Sequence, residues 1–303
     1  MIARVWNSLL RTIRFISEHP LTRDRRGAAL LRYVTWQARR RCIRQPKVIG
    51  FVNGSRLQIP PGAHGLTGFY YVGLPDFEDT AFALHLVRAG EIFADVGANA
   101  GAGSVAAAAV GARVHAFEPV PATFQLLEKN AALNCPEASI EGHAAGVGRE
   151  RGTLRFTTEH GAGNHVASTE DLRAGLPTVE VPVVTLDDVF PDTCPTVMKI
   201  DVEGWELEVI KGMTNLLGRP ELRGLVIETF RHTNLHTPKL QELEALLARH
   251  GFTPVTYHPF ARRLDDGQSH ERPSDNTIYA RDTNEVRDRL RLAPPFCILG
   301  QRI

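Results

Sequence analysis

Acidic residues stand at the ends of several short apolar runs, and they are the side chains in this chain best able to do chemistry. Asp95 follows EIFA, Glu118 follows VHAF, Asp201 follows VMKI and Glu228 follows GLVI. Runs of this length and composition predict buried strands of a parallel sheet, whose carboxyl ends meet at one edge. Carboxylates gathered there could bind a cation or a pair of hydroxyls, accept a proton, or hold a metal ion.

The first of these acids opens a stretch, DVGANAGAGS at residues 95–104, that carries few reactive side chains. Gly97, Gly101 and Gly103 allow positive φ angles and close approach of a ligand to the backbone. A helix that begins just after a strand also presents free N–H groups and a partial positive charge. The stretch therefore predicts a ligand-binding loop, which we expect Asn99 to order.

Two ligand classes use such a loop, a dinucleotide and S-adenosylmethionine. Residues 101–106 fit the degenerate G-x-G-x-x-A pattern of dinucleotide sites, but they start five residues after the strand and fall inside the helix. The Asp95 carboxylate would repel a pyrophosphate, whereas it would attract the sulfonium and ammonium groups of the methyl donor. Glu118, 23 residues further on, suits the ribose hydroxyls of either ligand. Asp95 therefore favours the methyl donor, with an NAD(P)-dependent oxidoreductase as the alternative.

These acids are set in a regular alternation of strand and helix patterns. The alternation predicts an α/β domain over residues 76–281 with a mostly parallel, doubly wound, Rossmann-like sheet. The segments FTPVTYH and NTIYARD predict an antiparallel pair at the end of the domain, so that the last strand is antiparallel. Residues 150–196 interrupt the alternation and predict an inserted hairpin and loop over the active edge of the sheet.

Three smaller regions flank the predicted domain. Residues 1–47 predict a basic helical N-terminal arm, because apolar residues recur there at helical spacing with arginines between them. Residues 48–75 predict a strand and hairpin lead-in with Asn53-Gly54 at its turn. Residues 282–303 form a C-terminal tail in which no element is predicted.

The arm carries most of the positive charge of the chain. The first 50 residues hold twelve Lys and Arg against two acids, a net charge of +10, and the rest sums to −9. We expect the body of the protein to cover the apolar stripe of the arm; a homodimer partner or peripheral contact with an anionic membrane are the alternatives. The members of the stripe are Ile2, Val5, Trp6, Leu9, Ile13 and Ile16.

Composition indicates a cytoplasmic protein. The sequence contains no run of 18 apolar residues, which predicts no membrane-spanning helix, and its four cysteines form no CxxC pair. The net charge of +1 gives no indication of a nucleic-acid partner. A non-catalytic adaptor that binds membranes or nucleic acid through the basic arm is a further alternative to an enzyme.

Four segments, in this order, resemble the family of FkbM-type methyltransferases. They are DVGANAG at 95–101, AFEPVPATFQLLEKNAALN at 116–134, VTLDDV at 184–189 and MKIDVEGWELEVIKGM at 198–213. The resemblance implies a class I methyltransferase fold, S-adenosylmethionine as the donor, and O-methylation of a small-molecule hydroxyl acceptor such as a sugar or another secondary metabolite. The donor-binding residues would then be Asp95, Gly97, Asn99, Gly101, Glu118 and Pro119.

Methyl transfer to a weakly nucleophilic hydroxyl is helped by a base or a metal. Asp201 and Glu203 stand at the end of the strand expected beside the donor, so we assign them as catalytic base and support, or alternatively as Mg²⁺ ligands. The next strand adds Glu228 and the nearby His232 as catalytic candidates. His232 and His236 would have a metal-binding spacing on a helix, but the surrounding Thr, Asn and Pro residues favour a loop.

Three further polar residues have simpler structural interpretations. Lys199 lies within a predicted strand, where it could pair with an acid rather than take part in the reaction. Asn164 and His165 lie in the Gly-rich insert and could contact the acceptor or only form a turn.

Overall fold

The computed structural model describes residues 2–134, 139–159, 161–229, 237–267 and 274–303. The predicted candidates His232 and His236 lie outside these ranges. Within them the helices are α1 (Ile2–Glu18), α2 (Arg26–Cys42), α3 (His64–Val72), α4 (Phe77–Leu86), α5 (Ala102–Ala109), α6 (Pro121–Ala132), α7 (Thr169–Arg173), α8 (Leu186–Val189), α9 (Glu206–Lys211), α10 (Thr214–Gly218), α11 (Pro238–Arg249) and α12 (Thr283–Arg291).

The strands form one large sheet and three small ones. In chain order they are β1 (Lys47–Gly50), β2 (Arg56–Ile59), β3 (Ile92–Val96), β4 (Arg113–Phe117), β5 (Ile140–His143), β6 (Gly146–Val147), β7 (Gly152–Thr157), β8 (Thr178–Val184), β9 (Val197–Ile200), β10 (Gly224–Glu228), β11 (Thr253–His258), β12 (Arg263–Asp266), β13 (Asn276–Ala280), β14 (Cys297–Ile298) and β15 (Gln301–Arg302).

The central sheet has eight strands in the order β12-β11-β13-β10-β9-β3-β4-β5. Within this sheet, the neighbouring strands β5, β4, β3, β9 and β10 pair in parallel. β13 is antiparallel to both of its neighbours, β10 and β11. The chain moves outward from β3 to β5 and later returns to the other side of β3 at β9, so the switch point lies between β3 and β9. This topology confirms the predicted Rossmann-like class I methyltransferase fold with an antiparallel last strand.

Apolar cores on both faces hold the central sheet. Every residue of β3 is buried, as expected for a parallel strand covered on both sides. One face packs against α4 and α5, to which Phe82 and Val105 belong. The other face packs against α9, α10 and α11 through residues such as Ile210 and Leu243. The sheet is therefore a rigid support for the side chains at its edge.

The predicted insert contains the expected hairpin, in which β7 and β8 pair antiparallel from Gly152–Val183 to Thr157–Thr178. The segment SIEGHAAGV at 139–147, whose pattern predicts a single third strand of the sheet, is however two strands. β5 ends at His143, whose carbonyl accepts the N–H of Ala145 in a tight turn. After that turn β6 leaves the central sheet and pairs with β8.

Two other expectations about elements need correction. The strand–helix alternation predicts one helix over WELEVIKGMTNLL at 205–217, but the structure divides this segment into α9 and α10 at Gly212. A Cβ on Gly212 would collide with the carbonyl oxygen of Gly148, so contact with a distant loop sets this break. The C-terminal tail, in which no element was predicted, forms α12 and a small hairpin, and it buries Phe296 and Ile303.

The hairpin predicted at Asn53-Gly54 is present, with β1 antiparallel to β2. Asn53 has a left-handed backbone with φ 51, and its side chain bonds the carbonyl of Ala109 and the N–H of Cys297. The lead-in therefore joins the start of the sheet domain to the C-terminal tail.

The body covers only part of the apolar stripe of the arm. Of the stripe, Ile16 is buried at 0% exposure, whereas Trp6 is 58% exposed. The body therefore covers the end of α1 at Ile16 and leaves Trp6 exposed in the single chain. Among the described residues, every helix is too short or too polar to span a bilayer.

Candidate active site

A cavity of about 250 Å³ lies at the carboxyl ends of the central strands, at the switch point of the sheet. Most of the residues predicted to act in the site line this cavity. They are Asp95, Gly97, Asn99, Glu118, Pro119, Asp201, Glu203 and Glu228. The strand-end pattern of the sequence therefore brings these side chains together, although their roles remain to be tested.

The loop after β3 adopts a conformation that its glycine requires. Gly97 has φ 81, and a Cβ at this position would collide with the carbonyl oxygen of Asp201. The N–H groups of Gly97 and Ala98 both donate to the carbonyl of Phe117, at 3.0 and 2.9 Å. The loop is thus fixed between the ends of β9 and β4, which places its bare backbone at the cavity wall.

Glu118 is held by backbone donors on both of its oxygens. Oε2 accepts the N–H of Asn99 at 3.0 Å, and Oε1 accepts the N–H of Val120 at 2.9 Å. Burial raises the pKa of this carboxyl to about 7, although both hydrogen bonds act in the opposite direction. Each oxygen keeps a further lone pair, so the carboxylate can accept two more hydrogen bonds from a ligand.

Asp95 is buried beneath the start of α5. Its Oδ2 accepts the hydroxyl of Ser104 at 2.6 Å, and only 1% of the residue is exposed. Burial raises the pKa of this carboxyl, while nearby Lys199 opposes the rise. Asp95 therefore anchors the first turn of α5 as well as lining the cavity. Sequence reasoning did not single out Ser104, whose signal is a hydroxyl in the first turn of the helix.

Gly101 is placed differently from the other predicted donor-loop residues. It has φ 80 at the start of α5, and a Cβ there would come 3.1 Å from the side chain of Leu127 on α6. Gly101 is not among the described residues that line the cavity. Its position indicates a role in packing the two helices, whereas its neighbours Asn99 and Ala100 reach the cavity.

Asp201 is paired with Lys199 across the end of β9. Lys199 Nζ lies 2.5 Å from Asp201 Oδ2, and the lysine also lines the cavity. Burial lowers the pKa of Lys199, but the carboxylates of Asp201 and Asp95 outweigh that effect and raise it. Lys199 is therefore a protonated cation that fixes Oδ2 of Asp201, and Asp201 also shares a side-chain hydrogen bond with Glu228.

Asp201, Glu203 and Glu228 each offer an oxygen, and these atoms all lie within 4.8 Å of one another. Burial and the carboxylates of Asp201 and Glu203 raise the pKa of Glu228 well above its usual range, so it is protonated at neutral pH. Its Oε2 is buried and has no partner among the described residues. Glu203 has φ 52, and burial together with Asp201 raises its pKa. The cluster can hold a proton or a divalent cation.

Two acids that sequence reasoning did not assign to the site also line the cavity. Asp76 and Asp79 begin α4, and burial raises the pKa of Asp76 to about 6. Asp79 accepts the hydroxyl of Ser274 at 2.8 Å and the side-chain amide of Asn276 at 3.3 Å. The available signal was the DFED sequence, in which two acids three residues apart face the same side of a helix.

The insert reaches the cavity, as predicted, with Asn164, Gly161 and Phe156. His165 instead turns toward its own loop, where Nε2 lies 3.1 Å from Asp171 Oδ2 and Nδ1 lies 3.0 Å from the carbonyl of Gly163. His232 lies outside the described residues, so its assignment stays a prediction.

The charge of the cavity is strongly unbalanced. Lys199 is the only basic residue among the described residues that line it, and seven acids surround it: Asp76, Asp79, Asp95, Glu118, Asp201, Glu203 and Glu228. Such a lining favours a cationic ligand and disfavours a pyrophosphate, because like charges repel strongly where water is scarce. The arrangement fits the sulfonium and ammonium of S-adenosylmethionine better than NAD(P).

A doubly wound sheet with an acid-lined cavity at its switch point defines a class I methyltransferase architecture. The chain belongs to the FkbM methyltransferase family, since the family model for the methyltransferase FkbM domain matches residues 95–254. This matched region contains every predicted donor-binding and catalytic residue.

Two curated proteins are similar to this chain. Methyltransferase sdnD of Sordaria araneosa is 30% identical over a region covering 46% of this chain and 64% of that protein. Hexuronic acid methyltransferase AglP of Haloferax volcanii is 34% identical over 42% of this chain and 52% of that protein. The chain thus spans between half and two thirds of the length of the curated relatives it matches.

Solved structures show a weaker likeness. Precorrin-6y C5,15-methyltransferase from Geobacter metallireducens has 13% identity and a TM-score of 0.38, covering 68% of this chain and 85% of its own. A SAM-dependent methyltransferase from Agrobacterium tumefaciens has 11% identity and a TM-score of 0.39, covering 78% and 69%. Scores at this level support no functional conclusion.

Proposed function

We propose that this protein is an S-adenosylmethionine-dependent methyltransferase that methylates a hydroxyl of a small acceptor, in first place a sugar. The observation that carries the proposal is the cavity at the switch point, where a glycine loop and seven acidic residues, most of them able to ionise, face one lysine. Such a lining attracts a cationic methyl donor. The chain also belongs to a methyltransferase family, which supports the same donor.

The donor would lie along the loop after β3. Gly97 brings the backbone to the cavity wall without a side chain, and Glu118 offers two free acceptor positions for the ribose hydroxyls. Asp95 and its neighbours supply negative charge toward the methionine end. Bound S-adenosylmethionine supplies a methyl group on a positively charged sulfur, which leaves as a neutral thioether.

The acids at the ends of β9 and β10 would act on the acceptor. The acceptor hydroxyl donates its proton to the carboxylate of Asp201 while its oxygen bonds to the methyl carbon and the carbon–sulfur bond breaks. Lys199 holds Oδ2 of Asp201 in place. Alignment of the reacting atoms in a closed site contributes on the order of 7–11 kcal/mol to such reactions. The proton then passes from Asp201 to solvent.

A divalent metal is the alternative use of the same acids. Asp201, Glu203 and Glu228 form an all-oxygen set within 4.8 Å, which suits Mg²⁺. The ion would hold the acceptor oxygen and make its proton more acidic. Lys199 already supplies positive charge beside Asp201, so we favour the base over the metal.

The class of acceptor is the least constrained part of the proposal. One relative is named as a hexuronic acid methyltransferase, which supports a sugar. The acidic lining disfavours an anionic group deep in the cavity, so we expect neutral or amino sugars to be better acceptors than uronic acids. Release of S-adenosylhomocysteine from a panel of these three sugar classes would test the order.

Exchange of Asp201→Asn tests the catalytic assignment with the best acceptor of that panel. The variant keeps the shape of the side chain but loses the base, so turnover should fall by ~10²–10⁴ while donor affinity changes only several-fold. Asp192→Asn, at an exposed aspartate, is the matched control and should retain turnover. Loss of donor binding in Asp201→Asn would instead assign this residue to the donor site. Activity lost with EDTA and restored by Mg²⁺ would assign the acids as metal ligands.

A further inference from the structure

A second cluster of metal-binding side chains lies on the central sheet, and none of its members lines the cavity described above. It consists of His115 on β4 and of Glu141 and His143 on β5. In the parallel register of these strands His115 is paired with Glu141, and Phe117 with His143. Residues two apart on a strand point to the same face, so the three side chains converge on one side of the sheet.

The distances within the cluster match a shared metal ion. His115 Nδ1 lies 3.1 Å from His143 Nε2. Oε2 of Glu141 lies 3.7 Å from His115 Nδ1, and Oε1 of Glu141 lies 3.7 Å from His143 Nε2. Two imidazole nitrogens bound at about 2.0–2.1 Å to one tetrahedral Zn²⁺ are separated by about 3.3 Å. A proton shared between the two rings would satisfy only the two nitrogens. The carboxylate of Glu141, at the same distance from both nitrogens, completes a set of three metal ligands.

Aromatic packing holds both rings in place before any ion binds. Phe117 stacks on His143 with centroids 4.4 Å apart, and buried Phe190 contacts the edge of His115 at 4.9 Å. The two histidine side chains are 16% and 21% exposed, and that of Glu141 is 66% exposed. The rings are therefore ordered, and an ion could still reach them from solvent past Glu141.

The types of side chain in the cluster determine which metal ions it can bind. A neutral imidazole has the free lone pair that a metal ion needs. Nitrogen ligands select Zn²⁺ and related transition metals, whereas Mg²⁺ prefers oxygen.

We propose that His115, Glu141 and His143 form a binding site for a divalent transition metal, Zn²⁺ in first place, with a fourth position left to water. The ion would join the edge strand β5 to β4. The carbonyl of His143 also accepts the N–H of Glu118 at 3.1 Å, so the site braces the part of the sheet that carries the proposed ribose-binding acid. This site is independent of the methyltransferase assignment.

Calorimetric titration of the tag-free, EDTA-treated full chain with ZnCl₂ tests the proposal. Excess Mg²⁺ in the buffer would compete with Zn²⁺ for oxygen ligands such as the carboxylates of the cavity, so that the remaining heat reports on the nitrogen site. We expect one Zn²⁺ per chain and a rise in the midpoint of thermal unfolding. His143→Ala and Glu141→Ala should each weaken Zn²⁺ by at least about tenfold, since even an outer-shell partner of a metal typically costs that much.

His258→Ala is the matched control. His258 also faces a carboxylate, that of Asp265 at 3.1 Å, but among the described residues it belongs to no group of three metal-binding side chains. This variant should leave Zn²⁺ affinity unchanged. If His143→Ala does not fold, Glu141→Ala decides, since its side chain is 66% exposed. Absence of Zn²⁺ binding by the wild-type chain, or wild-type affinity in Glu141→Ala, would overturn the site. The visible absorption of bound Co²⁺ should be present in the wild type and lost in both variants.

Discussion

At the scale of single residues, Glu118 has the environment that most directly indicates a ligand. Its carboxyl is 6% exposed, each oxygen accepts one backbone N–H, and burial still raises its pKa to about 7. A buried carboxylate that keeps unused acceptor capacity is costly unless a donor arrives. The ribose hydroxyls of the methyl donor are suitable partners in this account.

Glu118→Ala should therefore weaken S-adenosylhomocysteine binding by ~1.5–3 kcal/mol, the usual contribution of hydrogen bonds to a charged group. Calorimetry of the folded variant measures this loss. Glu128→Ala, at an exposed glutamate on α6, is the control and should bind like the wild type. Unchanged affinity in Glu118→Ala would remove the ribose assignment.

The same carboxyl should make donor binding depend on pH. Hydroxyl donors prefer the ionised form, and the pKa of Glu118 in the free protein is about 7. As the pH falls below about 7, the free site takes up protons and the affinity for S-adenosylhomocysteine should be lost progressively. Above about pH 7 the affinity should not change with pH. In Glu118→Gln this part of the pH dependence should disappear.

At the scale of elements, the loop after β3 connects the donor side of the cavity to the catalytic side. Gly97 packs against the carbonyl of Asp201, so a displacement of this loop would also move the end of β9. Parallel strands place these two chain ends side by side, with Asp95 opposite Lys199 in the register.

Gly97→Ala tests this connection. The added Cβ would collide with the Asp201 carbonyl, so donor binding should be lost in addition to the ~1–2 kcal/mol cost of a left-handed alanine. Gly90→Ala is the control, since Gly90 has the same φ of 81 but open space around its Cβ position. Equal donor affinity in the two variants would show that the loop contact is unimportant.

Local patterns predicted the strand-end acids well, for a physical reason. Because parallel strands share one carboxyl edge, the acid that follows each apolar run must lie at that edge. The cavity there is lined by Asp95, Glu118, Asp201 and Glu228. Patterns could not predict contacts that long-range packing decides. Asp79 reaches the cavity only because α4 packs beside β13, where Ser274 and Asn276 hold it.

The same limit explains the missed features elsewhere. The break at Gly212 depends on Gly148, 64 residues earlier in the chain. The cluster of His115, Glu141 and His143 depends on the register of β4 against β5, which a sequence does not show. Residues 282–303 gave no pattern because their short elements are stabilised by contacts with the body, such as those that bury Phe296.

At the scale of the whole molecule, the basic arm is attached to the body through its middle. The guanidinium of Arg32 donates to the carbonyl of Tyr71, and the amide of Gln301 donates to the carbonyl of Leu21. Ile16 is fully buried there, whereas Leu10 is 57% exposed. Leu10, like Trp6, which is 58% exposed, is thus an apolar residue of α1 that the body leaves uncovered.

Ile16→Ala and Leu10→Ala should therefore differ in their effect on stability. The first leaves a cavity beneath the arm and should lower the free energy of unfolding by ~2–5 kcal/mol. The second removes an exposed side chain and should change it by less than ~0.5 kcal/mol. Urea unfolding of both variants measures the difference. A similar loss in both would mean that the body covers Leu10 as well as Ile16.

The most direct test of the central claim is calorimetric titration of the full-length protein with S-adenosylhomocysteine, S-adenosylmethionine and NAD. The acid-lined cavity predicts that the two sulfur ligands bind with micromolar or tighter affinity and that NAD gives no binding heat. Binding of NAD without either sulfur ligand would contradict the methyltransferase assignment and restore the oxidoreductase alternative.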